Sequence, residues 1–316
     1  MQSFLLDLPD GGTISGRIYL PANTKESGHI PLLVCIPGGS YDSDYFDVDP
    51  RHSIFNLCTY IGIPVISVDR PGYGTSKSPA VVEDDETYAE VQGRYFNSTI
   101  LPSLWNRFAK QSNATTIVLL AHSIGAMMAI IAAGSYYGDH DYPLAGLIVS
   151  GIGSELVEGP RKAMIQLLAD SNSLIHFDTQ AKDAIMLQWP LKHVVGSEMC
   201  QHTERLNKPI PREELRDINM TWLSRWRQYT DRVTVPVMHG LGEYDGLWIS
   251  SRKAIEDFQR AFPRSPRVNC EMIPKAPHCV ELSFQSKAWY LKCCGFAFEC
   301  AVSRGLEIDS NQEGEL

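Results

Sequence analysis

Several features that would assign this chain to a functional class are absent. None of its eight cysteines (Cys35, Cys58, Cys200, Cys270, Cys279, Cys293, Cys294 and Cys300) stands in a C-x-x-C pair, so no zinc site built from paired cysteines is expected. Cys293 and Cys294 are adjacent, a poor geometry for a mutual bridge. Basic residues are in deficit: 28 Lys plus Arg face 37 Asp plus Glu, a formal charge of −9. A nucleic-acid partner needs the opposite balance to neutralise phosphates. The opening, MQSFLLDLPDGG, has neither a basic n-region nor a long apolar core. With the thiols read as mostly reduced, a cytoplasmic protein is the expectation. Residues 117–134 approach the length of a membrane span, but His122-Ser123 and glycines interrupt them, and a buried strand followed by a buried helix fits better.

What remains is an ordinary globular composition, 44% hydrophobic and 21% charged over 316 residues. Disorder as the main state is excluded, and the length allows one or two domains with a large core. FLLDL and TISGRIYL flank a Pro-Asp-Gly-Gly turn and read as an N-terminal hairpin. Apolar runs follow at 31–36, 64–69, 116–121, 145–150, 235–240 and 268–273. Most are apolar on both faces, as parallel strands covered on both sides must be. Between them lie helix signals. Asp49-Pro50 supplies an N-cap and a first-turn proline for a helix that stops at Gly62. Residues 84–110 read as one or two helices broken near Leu101-Pro102, and 250–262 and 283–303 as two more. The interval 152–232 holds no convincing strand and reads as three or four helices. In the last of these, Leu215, Ile218, Trp222, Trp226 and Tyr229 share one face. About 80 residues of helix between two strands implies an inserted cap. The expected organisation is therefore a core of 1–151 and 233–306, a cap of 152–232, and a flexible tail at 307–316.

The strongest chemical signal is Ala121-His122-Ser123-Ile124-Gly125, after an apolar run and before an Ala/Met/Ile-rich helix. A serine on so tight a strand-to-helix turn requires small residues two positions away on each side, which Ala121 and Gly125 supply. The turn exposes the hydroxyl at the sheet edge, beside the first N–H groups of the helix.

These residues resemble those of the α/β-hydrolase fold with a helical cap. AHSIG resembles the nucleophile elbow G-x-S-x-G, with Ala for the first Gly. DRPGYGTS at 69–76 resembles the family's Asp-x-x-Gly-x-Gly-x-Ser turn. IPGGSYDSDYF at 36–46 resembles its oxyanion loop, with Pro37 replacing the usual histidine. The loop GGSYDSDYFD is also similar to that of hydrolases in fungal natural-product pathways, which trim or release polyketide-like chains. The likeness spans roughly 1–150 and 233–303; the cap matches only in position and helicity.

The resemblance implies a mostly parallel central sheet with the hairpin at one end, and a serine hydrolase with Ser123 as nucleophile. The general base follows the last strand, where His278 stands. The orienting carboxylate follows the preceding strand, where Asp245 stands with Glu243 as near competitor; Glu155 and Glu158 are a further alternative. The oxyanion donors it implies are the N–H groups of Ile124 and Gly39. Substrate contacts are expected from His122, Ser40, Trp222 and Trp226, with part of the cap's Met and Trp content (Met164, Met186, Trp189, Met199) lining an acyl pocket. His239 reads as a core histidine, Asp69 as a turn residue bonding backbone N–H groups, and Cys279 as incidental. No metal or organic cofactor is implied. The expected substrate is an ester, thioester or lactone with a bulky apolar acyl group. Alternatives are an acyltransferase or a carbon–carbon bond hydrolase on the same residues, or a ligand-binding protein of this fold that does no chemistry.

Overall fold

The computed structural model describes residues 2–21, 28–83, 85–138, 141–169 and 172–313. An antiparallel hairpin, β1 (Gln2–Asp7) and β2 (Thr13–Tyr19), opens the chain. The apolar runs then become β3 (Pro31–Ile36), β4 (Val65–Asp69), β5 (Thr116–His122) and β6 (Leu144–Ser150). Every residue of these four strands is buried, as expected when both faces of a sheet are covered. Between them run α1 (Ile54–Ile61), α2 (Tyr88–Tyr95), α3 (Leu101–Ser112) and α4 (Ile124–Gly134).

The insertion that follows holds α5 (Glu158–Leu167), β7 (Leu174–Ile175), α6 (Thr179–Met186), α7 (Thr203–Leu206), β8 (Ile210–Pro211), α8 (Arg212–Arg216), α9 (Trp222–Arg225) and α10 (Arg227–Thr230). The chain closes with β9 (Val237–Tyr244), α11 (Arg252–Gln259), β10 (Val268–Pro277) and α12 (Ser286–Glu313). The eight-stranded sheet has the order β1-β2-β4-β3-β5-β6-β9-β10. It is parallel from β4 to β10 and antiparallel at the hairpin end. This is the mostly parallel sheet of the α/β-hydrolase fold.

Local details depart from the sequence expectations for physical reasons. The helix expected from Asp49-Pro50 begins at Ser53, whose hydroxyl accepts from Asn56 N at 3.1 Å. Asp49 instead caps a preceding turn, accepting from Arg51 N and His52 N. Gly62, at φ 75°, ends the helix as expected. No break occurs at Leu101-Pro102. A π turn at Phe96–Ile100 widens the helix ahead of the proline, and Leu101 N bonds back to Phe96 O, absorbing the proline's missing donor. A second π turn, Asp217–Thr221, divides the last helix of the insertion. The insertion also contains strand pairing that its sequence did not announce: β7 and β8 pair antiparallel. Helix α12 runs on to Glu313, into the stretch expected to be a tail.

All eight cysteines are free. No described helix is long and apolar enough to cross a membrane, and no cluster of three metal-ligating side chains occurs among the described residues.

Candidate active site

The site is built at the ends of β5, β9 and β10. Ser123 occupies the one-residue turn between β5 and α4, at φ 53° and ψ −121°. A residue with a Cβ pays steric strain there, and tertiary contacts hold it in place. Ser123 N donates to Ser150 O at 2.8 Å on the neighbouring strand. The demand for small neighbours has a visible cause. A Cβ on Gly125 would lie 2.3 Å from the carbonyl oxygens of both Ile36 and Pro37, so β3 and α4 can approach only with glycine between them.

Strands β9 and β10 deliver the next two groups. Asp245 follows β9 and His278 follows β10. The strand ends meet because Gly242 has no side chain: a Cβ there would sit 2.2 Å from Pro277 O. His278 Nε2 lies 3.0 Å from Ser123 Oγ, and its Nδ1 lies 2.9 Å from Asp245 Oδ2. Asp245 is itself held in place, its Oδ1 accepting from Leu247 N at 2.8 Å and Trp248 N at 3.0 Å. Glu243 points elsewhere and accepts from Lys275 N. Glu155 and Glu158 are exposed.

The Gly38-Gly39-Ser40 loop crosses directly over the serine. A Cβ on Gly38 would come within 3.0 Å of Ser123 Cβ, and one on Gly39 within 2.7 Å of Ile124 Cδ1. Ile124 heads α4, where first-turn N–H groups have no carbonyl one turn back. Ser40 does not line the site. It is fully buried at φ 62°, its hydroxyl donating to Lys208 O at 2.6 Å. Its expected role as a substrate contact is therefore corrected to one of anchoring the loop to the insertion.

His122 is buried beside the serine and reaches the cavity wall. Its ring stacks on Tyr45 at 4.9 Å, and its Nδ1 lies 3.0 Å from Ser150 Oγ, which donates to Glu281 Oε1 at 2.6 Å. Burial, with His278 nearby, holds its pKa well below the usual imidazole value. Burial likewise raises that of Glu281, which also accepts from Tyr45 and Trp289. His239 is a core histidine as expected, its Nε2 2.7 Å from Ile152 O and its ring stacked on Phe258. Asp69 accepts from Ser43 N at 2.8 Å.

Above Ser123 the wall is apolar: Met164, Phe177, Met186, Leu215 and Ile218 from the insertion, with Trp248 from the core. Asn219, in the second π turn, is the polar exception contributed by the insertion. No lining residue carries a carboxylate, ammonium or guanidinium group. Trp222 and Trp226 do not reach this wall, contrary to expectation. Trp226 stacks on Phe258 of α11 at 5.4 Å, so this end of the shared helical face packs on the core, while Leu215 and Ile218 at its other end line the wall. The free space between these side chains is about 40 Å³, small beside the roughly 300–1,000 Å³ of pockets that enclose a whole ligand.

Sequence reasoning passed over the charged groups around the loop. Arg70, fully buried, donates through Nε to Pro37 O and through Nη2 to Gly38 O, both at 3.0 Å, and pairs with Glu214 of α8. Lys182 of α6, also buried, donates to Ser40 O at 2.9 Å. Arg70 stands inside the DRPGYGTS motif, which was a signal; Lys182 and Glu214 sit on helices with no motif around them.

The fold has counterparts among solved structures. A thermophilic esterase from Thermogutta terrifontis superposes with a TM-score of 0.62 at 18% identity, over 95% of this chain and 100% of that one. A soluble variant of monoglyceride lipase from Saccharomyces cerevisiae gives 0.62 at 13% identity, over 95% and 94% of the two chains. The thioesterase domain from the curacin biosynthetic pathway gives 0.54 at 14%, over 92% and 98%. At such identities the likeness concerns the fold. A search of curated proteins by sequence finds no match. The profile of the Alpha/beta hydrolase family matches residues 33–288, most of the chain, and the chain belongs to that family.

Proposed function

We propose that this protein is a serine hydrolase that cleaves an ester or thioester of an uncharged, apolar acyl group, with residues 152–232 as a cap over the site. The observation that carries the proposal is the unbroken relay Ser123 Oγ, His278 Nε2, His278 Nδ1, Asp245, at 3.0 Å and 2.9 Å, ending on a strained elbow. A serine hydroxyl is a weak nucleophile at neutral pH. Asp245 accepts from Nδ1–H, leaving the Nε2 lone pair to face the hydroxyl. As Oγ attacks the carbonyl carbon, His278 takes its proton and Asp245 stabilises the imidazolium. The oxyanion is received by the Ile124 and Gly39 N–H groups. Collapse expels the alcohol or thiol, protonated by His278, and leaves an acyl-enzyme. Water attacks that ester, with His278 again as base, to release the acid.

The uncharged wall argues for a neutral acyl chain, because a buried substrate carboxylate would need a partner. With the cap seated, the 40 Å³ space holds no bulky group, so a long acyl chain requires the cap or its methionines to move. The acyl-transfer, carbon–carbon hydrolysis and ligand-receptor alternatives gain no specific observation from this site.

The test is labelling with a fluorophosphonate probe, followed by turnover of p-nitrophenyl and thioester substrates of increasing chain length, polyketide-like acyl thioesters included. The wild-type protein should label and turn over, and Ser123→Ala should do neither. A wild-type protein that stays unlabelled ends the proposal.

A further inference from the structure

The oxyanion loop is tied to the cap by two buried charged side chains that the reaction itself does not use. A peptide group is planar and trans, so its C=O and N–H point in opposite directions. The carbonyl of Gly38 and the N–H of Gly39 belong to one such group. Whatever grips Gly38 O therefore aims Gly39 N–H. Two donors share it: Tyr41 N, inside the loop, at 3.2 Å, and Arg70 Nη2 at 3.0 Å, which is the grip that reaches outside the loop, while Arg70 Nε takes Pro37 O one residue earlier. Arg70 in turn is fixed by Glu214 of α8, which meets both terminal nitrogens, at 3.2 Å and 3.0 Å. Glu214 also accepts from Tyr73 OH at 2.9 Å, and that phenol oxygen accepts from Ser40 N at 3.1 Å. Arg70, Glu214 and Ser40 have no solvent exposure, and Tyr73 has 3%.

A second strap comes from α6. Lys182 Nζ lies over the Tyr41 ring at 3.8 Å and donates to Ser40 O at 2.9 Å, Ser40 Oγ at 3.0 Å and Leu206 O at 3.2 Å. The loop thus has its backbone held at Pro37, Gly38 and Ser40, and two of the side chains responsible belong to the cap.

We infer that Glu214 and Lys182 are positioning residues for the oxyanion hole, so that the Gly39 N–H is aimed at the reacting carbonyl only when the cap is seated. The inference rests on the serine hydrolase proposal and adds a condition to it. Burying these charges costs desolvation that an apolar pair of similar shape would avoid. Aiming one donor at a transition state is a use that offsets such a cost. The Lys182 strap is also separable from folding. Ser40 O and Leu206 O keep a second donor in Lys208 N without it.

The test compares Lys182→Met and Glu214→Gln with wild type on p-nitrophenyl butyrate, alongside inhibition by an alkyl trifluoromethyl ketone, which forms a tetrahedral oxyanion on the serine. A displaced donor should lower kcat about 10- to 100-fold, with KM within about threefold, and weaken the ketone by a similar factor. The melting temperature of Lys182→Met should stay level or rise. A purely structural role would lower the melting temperature and leave kcat per fluorophosphonate-titrated site unchanged, and would overturn the inference. So would wild-type kcat and ketone affinity in both variants. Should one variant not fold, the other carries the same comparison, and kcat per titrated site counts only folded molecules. Ser123→Ala keeps the two proposals apart. Turnover that survives in it removes the hydrolase mechanism, whereas turnover lost there but unchanged in both cap variants removes only the positioning role.

Discussion

The two sides of Ser123 are held in different ways. On one side, His278 and Asp245 stand on the ends of adjacent sheet strands, and Asp245 is fixed by the backbone N–H groups of the two residues just beyond Gly246. Nothing in that chain of contacts leaves the core. On the other side, the Gly38-Gly39-Ser40 loop is held by side chains, and Glu214 and Lys182 among them come from the insertion. A proton relay must be in place for every substrate and tolerates little movement. An oxyanion donor is needed only once a substrate is enclosed. On the proposed mechanism, this difference assigns the invariant half of the chemistry to the core and the conditional half to the insertion.

The largest expected effect would break this comparison on the core side. His278→Ala should cut kcat by about 10⁶ and Asp245→Asn by about 10⁴, both with the fold intact. Glu243→Gln should change kcat by less than about threefold, since its carboxylate serves Lys275 N rather than the imidazole. Steady-state kinetics with circular dichroism as a folding control decides between them. A larger loss in the Glu243 variant would move the acid two residues back, into the strand.

The same division explains what could be read in advance. Ser123 could be proposed from a local backbone demand, the small residues around an elbow, whereas Asp245 and His278 were expected only through the family resemblance, which places them in loops at strand ends. The loops follow the strands, and the strands announce themselves by apolar runs. The cap's contribution was not legible. Leu215, Ile218, Trp222 and Trp226 were correctly placed on a buried face, but periodicity says that a face is covered and not by what. Hence Trp222 and Trp226 were assigned to the substrate, whereas Trp226 stacks across the seam and Trp222 lies buried beside it. Lys182 and Glu214 look like solvated helix charges in any sequence, and only their tertiary partners distinguish them. The helix start at Ser53 was missed because Asp49-Pro50 offers an equally good capping signal four residues earlier.

A middle-sized effect concerns that seam. Trp226, 3% exposed and stacked on Phe258, joins the insertion to the core. Trp226→Ala should destabilise the protein by about 3–5 kcal/mol by urea unfolding. If the relay belongs to the core alone, the folded fraction should keep labelling with fluorophosphonate while its oxyanion-dependent turnover falls. Labelling lost in step with turnover, in protein still folded, would contradict the division.

The smallest effect separates the two sides by pH. In the core, burial lowers the pKa of His239 to about 4 and that of His122 well below the ordinary 6.5. Between those values the unfolded chain binds protons that the folded chain refuses, so stability is full above about pH 6.5 and is lost as pH falls toward 4. For His239 the loss between pH 7 and pH 5 is about 2 kcal/mol. In the insertion, burial lowers Lys182 to about 7, against the pull of Cys279, Asp183 and Asp42. There the unfolded lysine keeps its proton above pH 7 while the folded one releases it, so stability rises with pH from about 7 upward. The histidine and lysine windows do not overlap, although burial also raises the insertion's Glu214 to about 7 and Asp217 to about 6, so below pH 7 the comparison is between variants and not between whole regions. His239→Gln should reduce the fall of the urea midpoint below pH 6.5, with His122 supplying what remains, and leave the slope between pH 7 and 8.5 alone, and Lys182→Met should do the reverse. A variant that altered both slopes would mean that core and insertion share one titrating network rather than two.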